Sequence, residues 1–217
     1  MKVGTDGVLL GAWVNIGNAH RILDVGTGTG LIALMLAQRS SATIDAVEID
    51  ESSSQQAQEN VNSSPWVNRI TLFNQSFQSF ALRETKKYDL IVSNPPYFIK
   101  SLKSPEKLRT VARHNELLSQ DDLLAGIEKL ISKDGRFAGI FPYLEGNIFT
   151  AKAANYNLYC IKRVTILGKE KQPPKRLLLE FCQEKKGLEE SELTIRNSDD
   201  TFTEEYRQLT KDFYLAF

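Results

Sequence analysis

The feature that most constrains the fold is the alternation of short apolar runs with segments of helical composition over the first two thirds of the chain. Strand-like runs occupy residues 21–26, 43–50, 70–75, 88–94 and 135–142. Helix-like segments occupy residues 31–39, 51–62 and 117–132, the last with Ser119 as its N-cap. This alternation, with short connections, predicts an α/β fold whose parallel sheet is covered by helices.

The pattern changes after residue 155. Two apolar runs at residues 158–167 and 176–182 are separated by GKEKQPPK, which leaves no room for a helix. These runs predict an antiparallel hairpin added to the edge of the sheet. The final segment, TEEYRQLTKDFYLAF, has helical composition again.

Composition is ordinary for a globular protein. The chain has 217 residues, of which 41% are apolar and 25% charged, so it suits one domain with a full core. It has no apolar run of about 18 residues, and we therefore expect no membrane-spanning helix. Cys160 and Cys182 lie in apolar runs, which favours buried free thiols, and with His20 and His114 far apart we expect no metal site.

Charge is segregated along the chain although the net charge is zero. Residues 100–115 contain five basic side chains against Glu106 alone: Lys100, Lys103, Lys107, Arg109 and Arg113. Residues 162–176 contain six basic side chains against Glu170 alone, whereas residues 177–217 contain ten acidic and five basic ones. Either basic segment alone is typical of a solvated loop, but the two together favour a phosphate-facing surface.

A glycine-rich turn, LDVGTGTGL, follows the first strand and opens the first helix of the alternating region. Gly26, Gly28 and Gly30 allow a tight turn and close approach of a ligand to the backbone. A dinucleotide-binding turn would require glycine or alanine where this chain has Leu31. Asp24 adds a carboxylate at the strand end, which would repel a pyrophosphate and attract an ammonium or sulfonium group.

The end of the second strand, AVEID, predicts the nucleoside part of the ligand. Glu48 can accept hydrogen bonds from both hydroxyls of a ribose, with Asp50 as the weaker alternative. Ile49 can pack on a purine. A nucleoside with a cationic amino-acid tail is S-adenosylmethionine, and we expect it to be the cofactor.

The fourth strand ends in SNPPY, residues 93–97. Neither proline can donate a backbone hydrogen bond, so the strand must end there, and the residue before each proline is held extended. The result is a stiff loop that presents Asn94 and Tyr97 in fixed directions.

DVGTGTG followed by SNPPY resembles the class I S-adenosylmethionine-dependent methyltransferases that act on planar amino groups. The resemblance implies that the Asn94 side chain and the Pro95 carbonyl accept hydrogen bonds from the target NH₂. Tyr97 would then stack on the target base, with Pro96 as the rigid spacer. These two acceptors, lying out of the ring plane, would favour a pyramidal nitrogen and stabilise the charge that develops during attack.

The same resemblance implies a Rossmann-like fold with a mostly parallel seven-stranded sheet, an antiparallel edge hairpin and helices on both faces. We expect a single domain over residues 1–217: an N-terminal helical segment (1–20), a cofactor-binding core (21–142), and the hairpin with the C-terminal helix (143–217). Many relatives have an aspartate after the third strand, where this chain has Ser76 between Gln75 and Phe77. We expect these three residues near the cofactor adenine, and Asn94 also at the cofactor.

Four further segments resemble one bacterial group, the tRNA adenine-N6 methyltransferases that act on nucleotide 37 of the valine tRNA. They are MKVGTDGVLLGAW, NPPYF, GRFAGIFP and YRQLTKDFYLAF. The resemblance implies a tRNA substrate whose anticodon loop lies on residues 100–115. It also implies that Thr5 lies near the methionine end of the cofactor, in a helix capped by Thr5 or Asp6. Members usually carry a basic and aromatic stretch before this opening segment, so an upstream part of the RNA surface is expected. We further expect a cytoplasmic monomer.

Two other classes of function stay open from the sequence. The same motif serves methyltransferases that act on ribosomal RNA, DNA or a protein glutamine, although those acting on DNA or glutamine usually add a further domain. A module that binds RNA or cofactor without catalysis is the second alternative. The intact Asn-Pro-Pro-Tyr and glycine loop favour the enzyme.

Overall fold

A computed structural model describes residues 4–95 and 118–214, and within these ranges the chain forms one eight-stranded sheet between two layers of helices. The strands are β1 (Arg21–Val25), β2 (Thr43–Glu48), β3 (Ile70–Asn74), β4 (Tyr88–Ser93), β5 (Ile131–Pro142), β6 (Tyr159–Lys169), β7 (Pro174–Cys182) and β8 (Glu189–Arg196). Their order is β3-β2-β1-β4-β5-β7-β6-β8, with β1 to β5 mutually parallel and β7 antiparallel to both of its neighbours. The predicted fold class is confirmed.

The described helices are α1 (Thr5–Trp13), α2 (Leu31–Arg39), α3 (Glu51–Asn62), α4 (Phe77–Arg83), α5 (Gln120–Leu130), α6 (Tyr143–Ala153) and α7 (Glu204–Thr210). Helices α1, α2, α3 and α7 contribute to a core on one face of the sheet that includes Leu36 and Val92. Helices α4, α5 and α6 cover the other face around Leu23, Ile91 and Phe149. None of the helices in the described ranges is long and apolar enough to cross a membrane.

The helix starts show which local signals the sequence carries. Ser119 caps α5 as predicted, accepting a hydrogen bond from the N–H of Asp122, whose carboxylate accepts one from the N–H of Ser119. The predicted cap of α1 by Thr5 or Asp6 is wrong. Gly4 is the N-cap and has no side chain to bond to the first turn, and the Asp6 carboxylate accepts a hydrogen bond from Arg176 of β7.

The sheet has one strand more than the seven expected. The additional strand, β8, pairs parallel to β6 and forms the outer edge, so the β6–β7 hairpin lies inside the sheet and not at its margin. Its sequence, EESELTIR, begins with four exposed polar residues. Because an exposed edge strand needs no alternating apolar pattern, the periodicity of the sequence did not reveal β8. Its charges discourage pairing with another chain.

Helix α4 is held in place by a close contact with α5. Phe77 is 4% exposed, and a Cβ built on Gly126 of α5 would lie 2.3 Å from its Cε1 atom. The absence of a side chain at residue 126 therefore lets the first turn of α4 seat on α5. Because α4 starts directly after β3, this contact also fixes the loop of residues 75 and 76.

We expect Gly126→Ala to lower the free energy of unfolding by about 1–3 kcal/mol, because the buried Phe77 ring must move to admit the methyl group. Gly187→Ala is the matched control, since a Cβ there would have no neighbour within 4 Å in the described part of the chain. Urea unfolding of both variants measures the difference. Equal stabilities would show that α4 and α5 adjust without cost.

Candidate active site at the carboxyl edge of the sheet

The sheet register brings the ends of three strands together. Val25 of β1 pairs with Val47 of β2 on one side and with Ser93 of β4 on the other. Gly26, Glu48 and Asn94 each come directly after one of these paired residues. The chain leaves β1 toward β2 and β3 and later returns to the other side of β1 as β4, so this point is where the strand order reverses. Ligands of open α/β sheets bind in the crevice at such a point.

The glycine turn between β1 and α2 has a conformation that glycine alone adopts readily. Gly26, Gly28 and Gly30 have φ angles of 70°, 59° and 83°. The N–H groups of Gly26 and Thr27 donate to the carbonyl of Val47, which anchors the turn to β2. A Cβ at Gly26 or Gly28 would meet no atom of the described residues within 4 Å, so a ligand can approach the backbone there.

Asp24 lies fully buried beneath this turn. Its Oδ2 atom accepts hydrogen bonds from the Thr27 hydroxyl (2.6 Å) and from the N–H of Ala33 (3.1 Å), while Oδ1 has no partner among the described residues. Burial raises the pKa of this carboxyl to about 7, with the nearby Glu48 adding to the effect. An unpaired buried carboxylate oxygen is costly, and a cationic ligand group would relieve that cost.

Glu48 is bonded on both carboxylate oxygens to the backbone around it. The N–H of Gly28 donates to Oε2 (2.8 Å) and the N–H of Asp50 donates to Oε1 (2.9 Å). Each oxygen retains a lone pair for a ribose hydroxyl. Asp50 instead caps α3 by accepting from the N–H of Ser53, which favours Glu48 over Asp50 as the ribose acceptor.

Next to Glu48, Ile49 is 45% exposed and offers an apolar surface beside the turn. Asn74, which sequence reasoning missed, donates to the carbonyls of Glu48 (2.9 Å) and Ile49 (3.3 Å). It thereby orients both candidate ligand residues. Its position opposite Glu48 in the β2–β3 register is the signal that could have found it.

Gln75, Ser76 and Phe77, which the sequence predicted near the cofactor adenine, have different surroundings after β3. Ser76 is the N-cap of α4, where its hydroxyl accepts from the N–H of Ser79, and Gln75 before it is half-buried. Phe77 points into the core against α5. We therefore retain Gln75 and Ser76 as candidate adenine contacts and leave out Phe77, whose ring is already enclosed by protein.

Asn94 is half-buried and Pro95 buried at the end of β4. The hydroxyl of Ser93 donates to the carbonyl of Val25 (2.9 Å) and so ties the end of β4 to the strand that bears the glycine turn. Pro96, Tyr97 and the basic residues predicted to contact RNA, Lys100, Lys103, Lys107, Arg109 and Arg113, lie outside the described residues.

Thr5 is exposed in the first turn of α1. Two residues later, a Cβ on Gly7 would lie 3.1 Å from the side chain of Leu31, the first residue of α2. The start of α1 therefore sits beside the start of α2, close to the glycine turn. Within the described ranges, no group of three or more candidate ligand side chains could hold a metal ion.

Comparison with known proteins agrees with this geometry. The model of the methyltransferase small domain family matches residues 5–121. The chain is 50% identical to the tRNA1(Val) (adenine(37)-N6)-methyltransferase of Trichodesmium erythraeum, over 100% of this chain and 92% of that protein. It is 46% identical to the protein of the same name from Bacteroides thetaiotaomicron, over 99% and 91% of the two chains. The family resemblance inferred from the sequence is confirmed.

Solved structures with low sequence identity share the fold. A predicted O-methyltransferase from Agrobacterium tumefaciens superposes with a TM-score of 0.73 at 15% identity, covering 95% of this chain and 96% of that one. A ribosomal protein L11 methylase from Lactobacillus delbrueckii subsp. bulgaricus gives a TM-score of 0.57 at 19% identity, over 82% and 77% of the two chains. The topology is therefore that of class I methyltransferases.

We expect Asp24→Asn to stabilise the ligand-free protein at pH 8 and to do so much less at pH 5. The folded-state pKa of Asp24, about 7, lies above the ordinary carboxyl value of 3.8, because the group is buried. The wild type therefore loses stability as pH rises from about 4 to 7, and a neutral amide avoids this loss. Thermal unfolding at both pH values measures the effect, with Asp134→Asn, at an exposed position, as control. A stability gain independent of pH would contradict the assignment.

Proposed function

Because the chain belongs to the family of tRNA1(Val) (adenine(37)-N6)-methyltransferases, we propose that it transfers a methyl group from S-adenosylmethionine to the exocyclic amino group of an adenine in tRNA. The observation that carries the proposal is the β1–β4 register, which sets Asn94 and Pro95 beside the glycine turn and the unpaired oxygen of Asp24. The residues proposed to bind the methyl donor and those proposed to hold the target amino group thus lie on the same edge of the sheet.

The residues of this edge fit the cofactor in three places. Oδ1 of Asp24 would accept from the ammonium of the amino-acid tail, with Thr5 near that end. Glu48 would accept from the ribose hydroxyls while it continues to hold Gly28. Ile49, Gln75 and Ser76 would contact the adenine. The three glycines let the tail pass close to the backbone, where the N-terminus of α2 adds oriented N–H groups.

When bound, the cofactor supplies a methyl group on a positively charged sulfur. The side-chain oxygen of Asn94 and the carbonyl of Pro95 accept hydrogen bonds from the target NH₂ and hold its lone pair toward that methyl carbon. So held, the amino nitrogen would take the methyl group as the C–S electron pair returns to sulfur, and would then lose a proton to solvent. A strong general base is unnecessary, because the amine becomes acidic only after the bond has formed.

The site of methylation that we propose is nucleotide 37, beside the anticodon. A base in a loop leaves its stack at lower cost than a base in a duplex. Tyr97 would stack on it, and the basic residues of 100–115 would contact the neighbouring phosphates. Ribosomal RNA, DNA and a protein glutamine remain the alternative substrates, and binding without catalysis is the alternative to an enzyme.

The decisive experiment offers purified protein and methyl-labelled S-adenosylmethionine to unmodified bulk tRNA, ribosomal RNA, DNA and a glutamine-containing protein in parallel. We expect label in tRNA alone, recovered as N6-methyladenosine at position 37 after digestion. Label in another substrate would keep the chemistry and overturn the substrate. Cofactor binding without label anywhere would overturn the enzyme itself.

We expect Asn94→Ala to lower kcat for tRNA methylation by about 100-fold or more, because a hydrogen-bond acceptor that stabilises the transition state is lost. The Kd for tRNA should change by less than about twofold. Asn18→Ala, at an exposed position on the opposite edge of the sheet, is the control. Loss of tRNA binding together with turnover would instead mean that Asn94 is structural.

We expect Glu48→Ala to weaken S-adenosylmethionine binding by about 10- to 100-fold, since hydrogen bonds to a charged group contribute about 1.5–3 kcal/mol each. Isothermal titration calorimetry measures the affinity, and tRNA binding should stay unchanged. Glu59→Ala on the exposed face of α3 is the matched control. An unchanged cofactor affinity would exclude Glu48 from the ribose site.

A further inference from the structure

A cavity of about 460 Å³ lies at the carboxyl edge of the sheet, beyond the candidate active site. It is formed by the first turn of α1, by the ends of β6 and β8, by the start of β7, and by aromatic side chains of the C-terminal part. Among the described residues that line it, none is assigned to catalysis, and Thr5 is the one shared with the proposed cofactor site.

The lining of the cavity is basic. Among the described residues, four cations line it together with two acidic residues, Asp6 and Asp200; the cations are Lys169, Lys175, Arg176 and Arg196. In a chain of zero net charge, this local excess favours an anionic ligand.

The two acidic residues are already engaged with the cations around them. Asp6 accepts a hydrogen bond from Nε of Arg176 (2.8 Å), and Asp200 forms an ion pair with Nζ of Lys169 (3.0 Å). Lys175 is exposed and forms no ion pair with any of the described residues. Its side chain lies along Gly168, where a Cβ would come within 2.9 Å of Nζ.

One wall of the cavity is aromatic. Phe202 lies beneath the guanidinium of Arg196, whose Cζ atom is 4.2 Å from the ring centroid. The hydroxyls of Tyr206 and Tyr214 are 3.0 Å apart behind it. The basic side chains at the mouth of this cavity match the electrostatic pattern of a surface that contacts nucleic-acid phosphates.

The cavity lies on the same edge as Asn94. Arg176, at the start of the antiparallel strand β7, pairs with Pro142 at the end of β5. Lys169 at the end of β6 pairs with Arg196 at the end of β8. These three basic residues therefore lie at the carboxyl edge of the sheet. With strands about 4.8 Å apart, β6 and β8 are about 14–19 Å from β4 along the sheet. Stacked nucleotides rise about 3.4 Å each, which makes this a span of several nucleotides.

We propose that this cavity binds a backbone phosphate of the RNA substrate several nucleotides away from the target adenine, with Lys175 as the principal contact. The inference rests on the proposed function, because it takes the same tRNA as the ligand. It assigns the last part of the second basic segment, with Lys169, Lys175 and Arg176, to a defined place on the substrate path.

The test is the salt dependence of binding to an unmodified tRNA anticodon stem-loop, measured by fluorescence anisotropy on the full chain. We expect Lys175→Ala to reduce the slope of log K against log salt by about 0.7–0.9, the change for one lost phosphate contact. Lys175→Arg should retain the wild-type slope, because it keeps the charge. Lys133→Ala, exposed at the opposite edge of the sheet, should leave the slope unchanged.

An unchanged slope in Lys175→Ala, or an equal reduction in Lys133→Ala, would overturn the inference. Methylation of tRNA by the wild type in the same preparation separates the two proposals. Wild-type methylation with an unchanged Lys175→Ala slope would reject the cavity and keep the function. A wild type that neither binds nor methylates tRNA would reject both.

Discussion

The pairing of β1 with β4 is the interaction on which the candidate site depends. It joins the strand that ends in the glycine turn to the strand that ends in Asn-Pro-Pro, although 68 residues separate Val25 from its partner Ser93. The hydrogen bond from the Ser93 hydroxyl to the Val25 carbonyl fixes this register within the buried core. A slip of one residue would turn Asn94 to the opposite face of the sheet and separate it from Asp24 and Glu48.

Asp24 lowers the stability of the ligand-free protein and at the same time favours the binding of a cationic ligand. A buried carboxyl with one unpaired oxygen and a pKa of about 7 destabilises the ligand-free fold above neutral pH. The same oxygen is suited to a cation because protein groups satisfy the other one. Thr27 and Ala33 hold the carboxylate in place, so the cost arises in folding and the benefit appears when ligand binds.

Sequence patterns predicted the parallel core, the hairpin strands and the α5 cap, because each has a strong local signal: apolar runs, a connection too short for a helix, and the Ser119 box. They missed β8, whose polar residues show no apolar alternation. They also missed α4, which is short, and α6, which is defined by its contacts with the sheet. The glycine turn, Asp24 and Glu48 were recognisable as a motif. Asn74 and the enclosure of Phe77 depend on register and packing between distant segments, which no local pattern records.

The position of β8 brings its two ends to surfaces of different charge. At its amino end, remote from Asn94, the exposed Glu189 and Glu190 pair opposite Lys162 and Arg163, so positive and negative charges offset each other there. Its carboxyl end reaches the basic cavity, where the described cations outnumber the acidic residues. In a chain of zero net charge, an anion that approaches this strand therefore meets an excess of positive charge at the carboxyl end.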